Sequence, residues 1–112
     1  MTESVIDALV FNEVAELMGD SMDEFIETYL DNSPKLLAGM NSAIPAGDID
    51  VVINNAHQLK GGSGSIGAMQ VFQLALQLEE DSRGGKLDDL ARVFEELKVA
   101  YAQVDTELRA HL

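Results

Sequence analysis

Ala56-His57-Gln58-Leu59-Lys60-Gly61-Gly62-Ser63-Gly64-Ser65-Ile66-Gly67-Ala68 is the stretch whose conformation decides the fold. It holds four glycines in the seven positions 61–67. As a loop, Gly62, Gly64 and Gly67 spell G-x-G-x-x-G, with Asp88 and Asp89 at a suitable distance downstream. A dinucleotide loop needs a strand before it and parallel strands around it. Val51-Val52-Ile53 is a strand candidate and the chain offers no second one. A phosphate loop fails because Ala68, not lysine, follows Gly67. Ser63 and Ser65 lack the glycine spacing of a nucleophile elbow. As a helix the segment makes better sense, since Ile49, Val52, Ala56, Leu59, Ser63 and Ile66 recur at three- and four-residue intervals.

A helical reading carries a cost, because each internal glycine is roughly 1 kcal/mol less favourable than alanine. One explanation is packing, in which bare backbone lets two helices approach and His57 is an ordinary surface residue. The helical wheel suggests another. At about 100° per residue, His57 falls roughly 140° from the apolar stripe. Lys60 and Gly64 lie within about 60° of that direction and Gly61 lies one turn beyond. The result is an exposed imidazole beside one cation and side-chain-free backbone, which a bulky partner can approach closely.

The remaining segments are also helical in pattern. Asp7 is placed to cap a first helix reaching about Met18, with Gly19 beyond its end and Leu9, Val10, Val14, Leu17 and Met18 as its apolar stripe. Asp20 or Ser21 opens a second helix carrying Phe25, Ile26, Tyr29 and Leu30, then Leu36, Leu37 and Met40. Pro34 is expected to kink or restart it, with Ser33 as a new cap. Ile44 to Gly47 is expected as a loop, with Asp48 capping the third helix. A turn near Gly67 leads to a fourth helix ending about Arg83, before Gly84-Gly85. The last helix is expected from about Leu87 to Ala110, with Leu90, Val93, Phe94, Leu97, Tyr101, Val104 and Leu108 inward. Amphipathic helices joined by short connections imply an all-α fold: an antiparallel four-helix bundle with an additional short N-terminal helix, residues 1–112 forming one domain.

Composition narrows the function. The 112 residues are 46% hydrophobic and 24% charged, which suits a folded domain. Seven basic and 20 acidic residues give a net charge of −13, which disfavours nucleic acid and anionic membrane as partners. No cysteine is present, which removes disulfides, thiolate metal sites and thiol catalysis. Two histidines argue against a resident metal site. The N-terminal Met1 to Asp7 lacks the basic start of a secretion signal, and no apolar run approaches a membrane span, so a cytoplasmic location is expected.

The run from Ala56 to Ala68 resembles the signature of histidine phosphotransfer (HPt) domains: A-H-x-L-K-G, small residues, then a hydrophobic residue and Gly-Ala. The likeness extends to the N-terminal helix, the Gly47-Asp48 step and the Leu78-Glu79 pair. Gly62 departs mildly from the pattern, which more often has Ala or Ser there. The resemblance implies that His57 is the phosphorylated residue and that Glu79 accepts the other ring N–H. It implies no cofactor of its own, with Mg²⁺ and an aspartate supplied by receiver domains of hybrid sensor kinases and response regulators, and because the sequence has no ATP-binding segment, no kinase activity is expected. A monomer is expected. Lys60 is expected to neutralise phosphoryl oxygens, and Asn54, Gln58, Gly61 and Gly64 to form the docking surface. Spacing supports the His57–Glu79 pair independently. His57 lies ten residues before Gly67 and Glu79 twelve after, so an antiparallel hairpin brings them to about the same height.

The acids are unevenly spread. Val51 to Leu78 spans 28 residues without Asp or Glu, where the chain average is five. Its polar positions include Asn54, Asn55, Gln58, Gln70, Gln73 and Gln77. Such a face suits a partner bearing a carboxylate cluster and a phosphoryl group, both of which acids here would repel. The alternative function is a helical adaptor that binds a signalling partner without carrying phosphate.

Overall fold

The computed structural model describes residues 5–112. Of the N-terminal segment taken above to lack a secretion signal, residues 1–4 lie outside the described residues. The order is α1 (Ala8–Met18), a short 3₁₀ turn (Gly19–Ser21), α2 (Met22–Ala46), α3 (Ile49–Ile66), α4 (Met69–Arg83) and α5 (Leu90–Arg109). Helices α2 to α5 form an antiparallel bundle in which each packs on its chain neighbours and α5 closes the ring against α2. Helix α1 lies against α2 and α3. The core runs the length of the bundle through Ile26 and Met40 of α2, Val52, Leu59 and Ile66 of α3, Val71 and Leu78 of α4, and Leu97 and Leu108 of α5.

Three connections share one device. A glycine in left-handed conformation follows α2 (Gly47, φ 72°) and α3 (Gly67, φ 87°), and another, Gly85 (φ 74°), turns the chain after α4. In each, the next residue's N–H reaches back five positions, as in Asp48 to Ala43, Ala68 to Ser63 and Lys86 to Asp81. The α3–α4 turn is the most constrained. A Cβ at Gly67 would stand 3.0 Å from the Asp7 carbonyl oxygen and 3.3 Å from Val10 Cβ. The Asp7 N–H donates to the Gly67 carbonyl at 2.8 Å. The start of α1 is therefore tied to the turn that sets the α3–α4 hairpin.

Several expectations need correction. Helix α2 is unbroken for 25 residues, with Pro34 and Pro45 inside it. Pro34 neither ends nor restarts it, and Ile44 to Ala46 belong to the helix rather than a loop. Both prolines face solvent, and buried side chains on either side of Pro34 (Ile26, Tyr29, Leu30, then Met40 and Ala43) hold the segment in one helical register. That packing offsets the roughly 3 kcal/mol cost of an internal proline. In α1, Leu9 and Leu17 are 76% and 86% exposed, whereas Phe11 is buried and Val14, Ala15 and Met18 pack beside it. Asp7 does cap α1, its Oδ1 accepting from the N–H groups of Leu9 and Val10. Asp48 and Ser21 occupy cap positions without a side-chain cap bond. Helix α5 starts at Leu90 rather than Leu87, and its expected inward residues are all buried.

Candidate functional site

The core stripe of α3 fixes where His57 points. Val52, Ala56, Leu59, Ser63 and Ile66 are all buried, so the imidazole stands on the opposite side, 63% exposed. The polar member of that stripe, Ser63, is satisfied by the Tyr29 hydroxyl at 2.7 Å. Burial, the largest influence on the Tyr29 phenol, pushes it up to about 12, so it stays protonated as a hydrogen-bond partner.

Glu79 of α4 comes up beside the ring. Its Oε2 lies 2.9 Å from His57 Nδ1, as the hairpin geometry requires. The carboxylate is 5% exposed and carries two further donors: Lys60 Nζ at 2.6 Å from Oε1 and Arg83 Nη2 at 3.1 Å from Oε2. Burial is the strongest single influence and would raise its pKa, but the hydrogen bonds from Lys60, Arg83 and His57 together outweigh it and hold the carboxyl at about 2. An ionised carboxylate can only accept, so the proton between the groups sits on His57 Nδ1. In the neutral ring the lone pair is then on Nε2. The site is an exposed imidazole with its tautomer set from behind.

Lys60 differs from expectation in one respect. In this structure its ammonium is bound to Glu79, and its side chain is only 22% exposed. Arg83 was not anticipated at all. The one available signal was its spacing four residues after Glu79, which by itself describes an ordinary surface pair.

The glycines divide into two kinds. Gly61 is exposed, and a Cβ there would meet nothing within 4 Å. Gly62 faces the Tyr29 ring, where a Cβ would stand 3.3 Å from Cδ1. Gly64 is half-buried against Phe72, with a Cβ 3.1 Å from Cδ2. Gly64 therefore also packs between α3 and α4. Asn54 and Gln58 are exposed beside His57. Of the amides in the acid-free run, Asn55 turns away and donates to the Leu36 carbonyl of α2 at 3.2 Å, while the others face water.

Comparison with known proteins decides the family. The Hpt domain family model matches residues 24–107, three quarters of the sequence. The chain belongs to the Hpt domain family. This Hpt domain is 30% identical over 104 residues to histidine-containing phosphotransfer protein 4 of Arabidopsis thaliana, covering 88% of this chain and 82% of that protein. It is 27% identical over 106 residues to histidine-containing phosphotransfer protein 2 of the same plant, covering 88% and 68%. Among solved structures, histidine-containing phosphotransfer protein B from Pseudomonas aeruginosa PAO1 superposes with a TM-score of 0.93 at 26% identity, over 98% of this chain and 96% of that one. A rice protein described as a putative histidine-containing phosphotransfer protein shares the fold, with a TM-score of 0.83 at 18% identity over 96% and 79% of the two chains. No described helix is long and apolar enough to cross a membrane.

Proposed function

We propose that His57 is the phosphoryl-carrying residue of this phosphorelay phosphotransfer protein. It accepts the group from a receiver-domain aspartyl phosphate and passes it to the aspartate of another receiver. The observation that carries the proposal is the 2.9 Å contact between His57 Nδ1 and an ionised, buried Glu79 behind an exposed ring. The Nε2 lone pair attacks phosphorus, the N–P bond forms, and the bond to the aspartyl oxygen breaks with its electron pair leaving on the carboxylate. The ring gains positive character, which Glu79 stabilises through Nδ1–H. Lys60, three residues along the same helix, is the cation that would engage the phosphoryl oxygens. The reverse sequence delivers the group to the next aspartate.

Family membership makes the chain a phosphocarrier rather than a kinase in kind, and makes receiver domains the expected class of partner. Beyond that, the reading includes no ATP-dependent kinase activity, a monomer in the cytoplasm, and Mg²⁺ contributed by the receiver. Asn54, Gln58 and Gly61 form the docking face around His57. Their exposure and the lack of acids along the face support this. The test is incubation with a ³²P-phosphorylated receiver. Acid-labile, base-stable label is expected on the wild type and absent from His57→Gln. Equal label in both, or none in either, refutes the assignment, and binding without label supports an adaptor instead.

A further inference from the structure

Arg83 stands in the last turn of α4, one helical turn beyond Glu79, and donates to Oε2. That is the oxygen facing His57 Nδ1, whereas Lys60 holds Oε1. The carboxylate is thus fixed at both oxygens by cations of different kinds. Lys60 is a compact charge on a flexible stem, carried by the same helix as the imidazole. Arg83 is a planar donor on Glu79's own helix. The two therefore respond differently when a phosphoryl group arrives on Nε2.

We propose that Arg83 is a positioning residue that keeps Glu79 ionised and aimed at His57 Nδ1 while Lys60 leaves Oε1 for the phosphoryl group. This rests on His57 being the phosphoryl acceptor. The bound phosphoryl brings about two negative charges and draws the ammonium towards it. Besides the ring itself, Glu79 then keeps Arg83 as its cationic donor, in a place where burial favours the neutral carboxyl. A neutral carboxyl would hold the shared proton itself and leave Nδ1 bare. That proton matters to the next step. When the receiver's aspartate oxygen attacks phosphorus, the N–P bond breaks and its electron pair returns to Nε2. With Nδ1–H in place the departing group is neutral imidazole; without it, the group is imidazolate, a far poorer leaving group. Arg83 acts on the transfer through Glu79 and touches neither phosphorus nor the receiver in this account.

The experiment compares wild type, Arg83→Lys, Arg83→Gln and Arg83→Ala of the full chain, after melting curves show that each is folded. Arg83 is 60% exposed at its side chain, so its removal leaves the core intact. Each protein is labelled from a ³²P-phosphorylated receiver, and single-turnover transfer to a second receiver is followed against receiver concentration. The expected result for Ala and Gln is a maximal rate lowered roughly fivefold, as for a charged hydrogen bond partly screened by water, at unchanged half-saturating receiver concentration. Arg83→Lys recovers part of the rate. The Nδ1–H resonance of phosphorylated His57 is expected in ¹⁵N spectra of the wild type and weakened or lost in Arg83→Ala. An unchanged maximal rate overturns the proposal, as does a change confined to half-saturation, which would mark Arg83 as a docking residue. Absence of His57 label in the wild-type arm overturns the phosphoryl-acceptor assignment itself and is seen before any variant is compared.

Discussion

Gly61→Ala separates what the fold needs from what docking needs. The residue lies inside α3, six positions before its left-handed terminus at Gly67, with open space where a Cβ would be. No contact is gained or lost in the folded state, so the change acts through backbone entropy and helix propensity. The gain should be about 0.8–1.0 kcal/mol. For a chain of this length that corresponds to a rise of about 4 °C in Tm. Thermal and urea denaturation measure it, with the urea dependence of stability unchanged because the exposed area is the same. Gly64→Ala is the control. It gains the same propensity but forces Phe72 to yield at 3.1 Å, so its net effect is smaller or reversed. Gly61→Leu adds a side chain to the same open position. It should leave the fold intact and cut phosphotransfer by an order of magnitude or more. A lower Tm for Gly61→Ala would show that the space beside Gly61 is not open. Transfer by Gly61→Leu at the wild-type rate would show that the bare backbone is not clearance for a partner.

Three further outcomes follow from the same geometry. Glu79 has a folded pKa of about 2 against an ordinary 4.5, so its ionised form stabilises the fold fully above about pH 4.5, and the contribution is lost as pH falls towards 2. The upper bound is about 3 kcal/mol; the stability difference between wild type and Glu79→Gln should shrink across that window in urea titrations, and a constant difference would contradict the pairing. Gly67→Ala should destabilise by about 1–2 kcal/mol through its positive φ, and more if Asp7 cannot move, with faster amide exchange at Asp7 as the local signature. Tyr29→Phe leaves the Ser63 hydroxyl buried without its partner and should cost about 1–3 kcal/mol in chemical denaturation, whereas Ser63→Ala combined with Tyr29→Phe should cost less than the sum.

What the sequence revealed depended on whether a residue's fate was settled locally. The face of α3 was readable because one apolar stripe at helical spacing has only one side to bury, and His57 lies opposite it. The level of Glu79 followed from counting residues either side of Gly67. Helix α1 was not readable in the same way. Leu9, Val10, Phe11, Val14, Leu17 and Met18 surround much of its circumference, and the buried face is the one with long-range contacts, among them the Asp7 N–H to Gly67 carbonyl bond at the helix start and Phe11 against His111. At Pro34 and Pro45 local preference argues for a kink or restart and for a loop, and burial along both halves of α2 carries one helix through both. Gly64 could be told from Gly61 only once Phe72 was known to face it. Arg83 escaped because a Glu and Arg four apart usually describe a solvated pair. The burial of Glu79 is what gives this pair its consequence.

The charge distribution joins these details. The chain carries −13, yet the cations of α5 are engaged by acids of α5 or its leading turn: Arg92 with Asp89 and Glu96, Lys98 with Glu95, Arg109 with Asp105. Around His57 the balance is inverted. Glu79 is buried, and Lys60 and Arg83 converge on it, so the one carboxylate in contact with the ring is outnumbered by cations. Because Glu79 is withdrawn from the surface, the acid-free face extends in effect to Glu80, beyond the gap visible in the sequence. Under the proposed function, a receiver bringing several carboxylates and a phosphoryl group would meet amides, bare backbone and a locally positive site, while the rest of the domain would repel it. Reversing this balance should be more damaging than removing any one charge. Gln58→Glu adds an exposed acid next to His57 without touching the Glu79 cluster. It is expected to raise the receiver concentration needed for transfer and to make that requirement ease with added salt. Salt-independent weakening would assign the defect to shape rather than charge.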